Sequence, residues 1–236
     1  MKTKLMVVGA LFAAACASQK APAKLDDSGL SRLTEQQMGP VDDARIEAGR
    51  AHDAVSRARA NEAESRSRVE VARSERAVGD AQLKRAIAER DMLKKAYAEP
   101  NQLARAEEEI SAYQQRLKAT DLKLQYLERM IGVAESERKA AEAHEVSATA
   151  RVEQAKYRAM TGAGARQATS VNGGDLDKRL AEAQVQEAQV QKEAAERRSG
   201  AIDLYNRWQE VDARVQTLAK PSALTPPPPP QAEPTR

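Results

Sequence analysis

Few residues of the chain have the types and spacing that chemistry requires. Cys16 is the only cysteine, and His52 and His144 are the only histidines. His144-Glu145 begins like a zinc-protease motif, but no second histidine follows at the required spacing, and one cysteine cannot complete a His/Cys metal site. The sequence also lacks a phosphate-binding loop that ends in Lys-Ser/Thr and a serine in a nucleophile elbow. We therefore expect no catalytic residue, metal, cofactor or small-molecule substrate, and no enzymatic activity.

Cys16 follows a segment that is typical of an export signal. Met1–Lys4 carries two lysines, and the apolar run Leu5–Ala15 follows. That run is too short to span a bilayer but suits the apolar region of a secretory signal. A lone cysteine in an oxidising compartment would have no partner in its own chain, so Cys16 requires another explanation.

The residues Ala13-Ala14-Ala15-Cys16 resemble the lipobox of bacterial lipoprotein signals. The resemblance implies cleavage between Ala15 and Cys16 and a diacylglyceryl thioether on Cys16, whose new amino group is then usually acylated, as with palmitate. Two or more acyl chains give a durable membrane anchor. Ala13 stands where the common lipobox has leucine. Ordinary secretory cleavage at the same bond, and an uncleaved helix with a small buried Cys16, remain as alternatives.

The residue after the cysteine bears on the membrane. In enteric-type sorting an aspartate there favours the inner membrane, and this chain has Ala17. By resemblance, we expect an outer-membrane lipoprotein that faces the periplasm, with the inner membrane or the cell surface as alternatives.

Composition predicts long helices. Only 3% of the residues are aromatic and 31% are charged, while alanine is by far the commonest apolar residue. This usage is typical of coiled coils, whose seams admit small side chains. The formal net charge is +3, and acids and bases interleave, so we expect no nucleic-acid partner. No long apolar run follows Cys16, which argues against a transmembrane helix in the mature chain.

Three segments show apolar residues at spacings of three and four, which is the heptad pattern of coiled-coil helices. Pro100 separates the first two segments and suits the first turn of a new helix. Residues 161–174 are rich in Gly, Ala and Ser and predict a loop, after which Asp175 is a plausible N-cap. The predicted helices cover about residues 41–99, 101–160 and 175–219.

These segments predict an all-α fold: a long antiparallel coiled coil, in which a helical hairpin and a third helix form a three-helix bundle at residues 41–219. The short break at Pro100 favours the antiparallel return. The alternative joins the first two segments as one kinked helix in a parallel oligomer. Trp208 is interpreted as a core anchor of the third helix, and Tyr97, Tyr113, Tyr126 and Tyr157 as seam or flank residues.

The two ends of the chain differ from this domain. Residues 1–15 are interpreted as the signal peptide. Residues 16–40 predict a flexible tether, although Leu25, Leu30 and Leu33 could instead dock on the helices. Residues 220–236 include the prolines at 226–230 and predict an extended, disordered tail, which acts as a stiff spacer or as a docking ligand.

The sequence therefore favours a non-enzymatic, lipid-anchored envelope protein that acts as a periplasmic coiled-coil scaffold, spacer or tether. It would bind a protein partner through its coiled coil, and self-association is a further interpretation. The alternative is an accessory adaptor or activator subunit of an envelope export, motility or cell-wall-remodelling machine.

Overall fold

The computed structural model describes residues 25–165, 168 and 170–217, and this part of the chain contains helices but no strand. A short 3₁₀ helix, Asp27–Arg32, precedes three long helices: α1 (Glu35–Lys95), α2 (Pro100–Gly162) and α3 (Gly173–Gln216). The fold is all-α, as predicted, and the three long helices pack against one another as a helical bundle.

The helix α2 lies at the centre of the bundle and packs against both α1 and α3. Its partners on α1 run in the opposite direction, from His52 opposite Glu145 to Lys94 opposite Glu107. Asp177 contacts Gln154, and further along α3 Tyr205 contacts Tyr126. Both neighbours of α2 are therefore antiparallel to it, and the predicted hairpin with a third helix beside the second is confirmed.

The helices differ in length, and this difference shapes the molecule. The 61 residues of α1 and the 63 of α2 each span about 90 Å, whereas the 44 residues of α3 span about 66 Å. We call the end where α1 begins the base, and residues 86–109 around the α1–α2 connection the distal end. Because α3 starts at the base, α1 and α2 extend about 25 Å beyond it as a two-helix hairpin.

The predicted seams of α1 and α3 form their interfaces with α2. The buried residues of α1 all lie on its predicted seam, and so do those of α3: Val41, Ala51, Val55, Val69, Ala72 and Ala86 on α1, and Leu176, Leu180, Ala183, Ala194, Ala201 and Trp208 on α3. Alanine at half of the α1 positions allows the helix axes to approach closely.

On α2 the single predicted seam was incomplete. Eight of the thirteen buried residues of α2 lie off that seam, Tyr126, Val133 and Met160 among them. The reason is that α2 packs against α1 on one side and α3 on the other, so it buries two faces.

The segment before α1 differs from the predicted tether. Leu25 and Leu30 are buried, and α1 begins at Glu35, six residues earlier than predicted. Gln37 Oε1 accepts a hydrogen bond from the backbone N–H of Thr34, which satisfies a donor at the start of the helix. Pro40 lies inside the second turn, where it removes one backbone hydrogen bond and its ring crowds the carbonyl of Gln36. Of the predicted tether, residues 25–40 are therefore docked or helical.

The connection between α2 and α3 also differs in detail. The helix α3 begins at Gly173, and its N-cap is Asn172, whose side chain accepts from the N–H of Gly174. Asp175 was the predicted cap, but it lies in the first turn, where a carboxylate favours the helix dipole. Gly173 is required by packing, because a Cβ there would lie 2.6 Å from Cζ of Tyr157.

The signal peptide at residues 1–15, Cys16 and the tail at 220–236 lie outside the described residues. Among the described helices, none combines the length and the apolarity that crossing a bilayer demands.

Candidate functional site

The N-terminal segment is packed into the base of the bundle. Leu25 and Leu30 are 5% and 7% exposed and contact residues from the start of α1, the end of α2 and the start of α3. We call this group the base cluster, and it comprises Leu25, Leu30, Val41, Met160, Ala168 and Leu176. Burial of these apolar side chains stabilises the docked segment through the hydrophobic effect.

A charged network fixes the same segment to α2. Lys156 Nζ lies 2.8 Å from Asp27 Oδ1 and 3.1 Å from Glu153 Oε1. Glu153 also accepts a hydrogen bond of 2.9 Å from the backbone N–H of Leu25. Arg45 of α1 lies 3.1 Å from Asp27. One carboxylate of the docked segment is thus held by cations from two helices.

The pKa values reflect this network. The hydrogen bond from Lys156 lowers the pKa of Asp27. Burial would by itself lower the pKa of Lys156, but the hydrogen bonds to Asp27 and Glu153 more than offset it and raise that pKa. Both groups therefore stay ionised over a wide pH range around neutrality, and the ion pair persists there.

This geometry limits the distance between the rod and position 16. Cys16 and Ala15, the predicted lipidation and cleavage sites, are not among the described residues. Eight residues, 17–24, separate Cys16 from Leu25, and a fully extended chain of that length spans at most about 28 Å. Any group attached to Cys16 is therefore close to the base and far from the distal end.

The two histidines are separate and pair with carboxylates. His52 Nδ1 lies 2.7 Å from Glu145 of α2, and His144 Nδ1 lies 2.8 Å from Glu187 of α3. Glu47 of α1 lies 3.8 Å from the other nitrogen of His144. Within the part of the chain that the structure describes, no group of three or more His, Cys, Asp or Glu residues is placed to hold a metal ion. His52 therefore joins α1 to α2, and His144 joins α2 to α3.

Trp208 is a core anchor, as predicted. It is 3% exposed, and its ring is stacked on Tyr126 at a centroid distance of 6.5 Å. Tyr205 contacts both rings, at 5.3 Å from Tyr126 and 5.7 Å from Trp208. Burial raises the pKa of Tyr126 to about 12. These three aromatic residues, which we call the aromatic cluster, fasten the far half of α3 to α2.

Tyr97 differs from the predicted seam or flank position. The helix α1 ends at Lys95, and Tyr97 lies in the turn with φ of 52° and 96% of its surface exposed. Beside this turn, α1 and α2 leave a shallow groove of about 210 Å³. It is lined by Ala86, Glu89, Leu93, Gln102, Arg105, Ala106 and Glu109. The distal end therefore carries both a protruding aromatic ring and a partly apolar groove.

The searches for relatives gave no match to any protein-family model, curated protein or solved structure.

Proposed function

We propose that this chain is a non-enzymatic, lipid-anchored protein of the bacterial envelope that acts as a rigid periplasmic spacer or scaffold. Its lipid would be carried by Cys16, with the outer membrane as the site of anchoring. One observation supports the proposal: Leu25 and Leu30, which lie soon after Cys16 in the sequence, are docked into the base of the bundle. An anchor at Cys16 would thus be joined to a rod through a short connection.

The dimensions suit this role. Residues 17–24 can span at most about 28 Å, whereas each of the two longest helices spans about 90 Å. The base would therefore stay near the membrane surface, and the rod could reach well beyond it. A partner at the distal end would be held at a distance that depends on helix length, with little contribution from the connection.

The two-helix extension gives specific support to the alternative role of an adaptor. Beyond the end of α3, the distal part of the hairpin is narrow and has helices on one side only of α2. Such a projection can enter a gap in a larger assembly, as an accessory subunit of an export, motility or cell-wall-remodelling machine would. The two roles share the anchor and differ in the partner.

The anchor is tested by replacing the cysteine and following the protein in membrane fractions. Cys16→Ser should abolish acylation and either release the chain from membranes or block its processing, whereas the matched control Ala17→Ser should remain acylated and membrane-bound. Mass spectrometry of the N-terminal peptide should find a diacylglyceryl group on Cys16 as residue one of the mature chain. A free thiol at Cys16, or a mature protein that still begins at Met1, would contradict the proposal.

The coupling of anchor and rod has a separate test. Leu25→Asp places a charge in the base cluster and should release residues 25–33, which hydrogen exchange detects as faster amide exchange there. Acylation and membrane association should be unchanged. If the exchange rates of residues 25–33 in the unmodified chain already match those of an unstructured peptide, the segment is not docked and the rigid coupling is wrong.

A further inference from the structure

The turn at the distal end contains a residue that folding alone does not favour. The backbone N–H of Ala98 donates to the carbonyl of Leu93 at 3.1 Å, and that of Tyr97 donates to Lys94 at 3.3 Å. This pair of hydrogen bonds is the Schellman motif, which ends a helix with one residue in the left-handed conformation. Glycine is preferred at that position, because a Cβ makes the conformation unfavourable. Here the position is held by Tyr97.

The ring of Tyr97 gains no burial that offsets the cost of this backbone conformation. It is 96% exposed, so it buries almost no surface within the chain. Met92, one helical turn before the end of α1, is also 64% exposed. An unfavourable backbone conformation that carries an exposed aromatic side chain points to a role outside folding. Tyrosine is also a side chain that interfaces with protein partners favour, because it adds contact area at a low entropic cost.

The groove beside the turn supplies the chemistry of the partner. Its lining combines the apolar side chains of Leu93 and two alanines with the carboxylates of Glu89 and Glu109 and the guanidinium of Arg105. Within the described residues, neither glutamate forms an ion pair. A lysine or arginine side chain fits such a groove, because its apolar stem can contact the apolar residues while its charge meets the carboxylates.

We propose that the distal end, residues 86–109, is a docking site for a protein partner that inserts a lysine or arginine side chain into the groove and receives Tyr97 in an apolar pocket. This inference deepens the proposed spacer by naming where its partner binds. It rests on the rod of the proposed function but is independent of the lipid on Cys16.

Charge disfavours the other occupants. The groove has one excess negative charge, and the distal end as a whole carries six carboxylates against four cationic side chains, with Glu107 paired to Lys94. An anionic lipid surface would be repelled by these carboxylates, and a second copy of the chain would bring acidic grooves together. A basic protein surface is complementary to them.

The site is tested first by photo-crosslinking in cells that produce the full chain. A photoreactive phenylalanine analogue replaces Tyr97, or Val185 of α3 as a control that is 70% exposed and lies outside the distal end. Position 97 should form an adduct with one protein, identified by mass spectrometry, that position 185 does not form. No adduct at position 97 above that at position 185, or adducts only with lipid or with a second copy, would overturn the proposal.

The identified protein is then purified, and its binding to the purified full chain is measured by calorimetry. Tyr97→Gly should weaken binding at least tenfold and at the same time raise the melting temperature, whereas Tyr97→Phe should keep binding within about threefold. Glu89→Gln together with Glu109→Gln should weaken binding and reduce its dependence on salt, and Val185→Ser should change neither property. Unchanged binding by Tyr97→Gly would overturn the site.

The outcomes separate this inference from the lipid anchor. If Cys16 proved to be a free thiol while Tyr97→Gly still lost its partner, the anchor would be wrong and the docking site right. If Cys16 is acylated but position 97 yields no protein adduct, the spacer keeps its anchor and loses this docking site.

Discussion

The aromatic cluster makes a quantitative prediction about how α3 is held. Trp208→Ala removes a ring that is 3% exposed and stacked on Tyr126, and Trp208 is the last buried residue of α3, so no buried side chain beyond it holds the end of the helix. Truncating a buried tryptophan costs about 3–5 kcal/mol. We expect a loss in that range for the region around Trp208, and no new contact offsets it.

The loss should be local. The start of α3 is held separately, through Leu176 in the base cluster and Leu180 and Ala183 on the seam. The Ala variant should therefore lose protection from amide hydrogen exchange at residues 195–216 of α3 and around residue 126 of α2, while residues 173–185 stay protected. Hydrogen exchange with mass spectrometry resolves these segments, and circular dichroism should show only a modest loss of helix at room temperature.

Two controls define the result. Trp208→Phe keeps a ring in the cluster and should lose much less free energy, and Val185→Ser at an exposed site should change stability by no more than about 0.5 kcal/mol. If Trp208→Ala cost less than about 1 kcal/mol, or if protection fell equally along all of α3, the aromatic cluster would not be the local fastening described here.

Two further predictions concern single contacts. Gly173→Ala should destabilise the chain by about 1–3 kcal/mol in thermal melts, since its Cβ would meet the ring of Tyr157, and the loss should shrink in a Tyr157→Ala background. For Tyr126 the folded pKa of about 12 exceeds the ordinary value near 10, so its contribution to stability is complete below pH 10 and is lost as pH rises from about 10 towards 12. Phenolate absorbance of the unmodified chain minus that of Tyr126→Phe should titrate near pH 12, and a difference that titrates near pH 10 would contradict burial of this ring.

The heptad pattern was sufficient to predict the three helices and their antiparallel order, because small apolar residues at these spacings bury surface only when helices pack side by side. It failed at helix ends. Gly39 and Pro40 favoured a break, because a proline beyond the first turn loses a hydrogen bond and crowds the preceding turn, yet α1 begins earlier and Leu25 and Leu30 are buried beside it. The local sequence signals for a helix break were outweighed by the burial of apolar side chains in the tertiary structure.

The candidate sites show the same limit. The contact of Asp27 with Lys156 joins residues that are far apart in the sequence, and no local pattern indicates it. Tyr97 continues the three- and four-residue spacing of the α1 seam. That spacing places residues on one face only while the chain is helical, and α1 ends at Lys95. Cys16 was identified from its sequence context alone, and its acylation stays a prediction.

Two of the polar residues that interrupt the apolar seams are explained by their contact with each other across the α1–α2 interface. Glu62 of α1 and Arg138 of α2 are both seam residues, and Arg138 Nε lies 2.7 Å from Glu62 Oε2. The Glu62 side chain is 15% exposed, and the hydrogen bond from Arg138 is the main cause of its lowered pKa. Two polar residues, each at a position where its own helix would otherwise continue an apolar seam, thus meet across the interface.

This pairing favours the observed register of the hairpin. An alanine-rich seam repeats every seven residues and would tolerate a slip of one heptad with little change in packing. One such slip would place Glu62 opposite Glu145 and Arg138 opposite Val69, and the other would place Glu62 opposite Ile131 and Arg138 opposite Val55. Either slip breaks the contact between Glu62 and Arg138 and leaves each charge only with the partner on its own helix, Arg66 for Glu62 and Glu142 for Arg138. Each slip therefore loses an ion pair that the observed register makes across the interface. The apolar positions therefore bring α1 and α2 together, and the ion pairs that cross the interface, among them Glu62 with Arg138 and Glu75 with Lys123, favour the alignment that puts the distal turn at Tyr97.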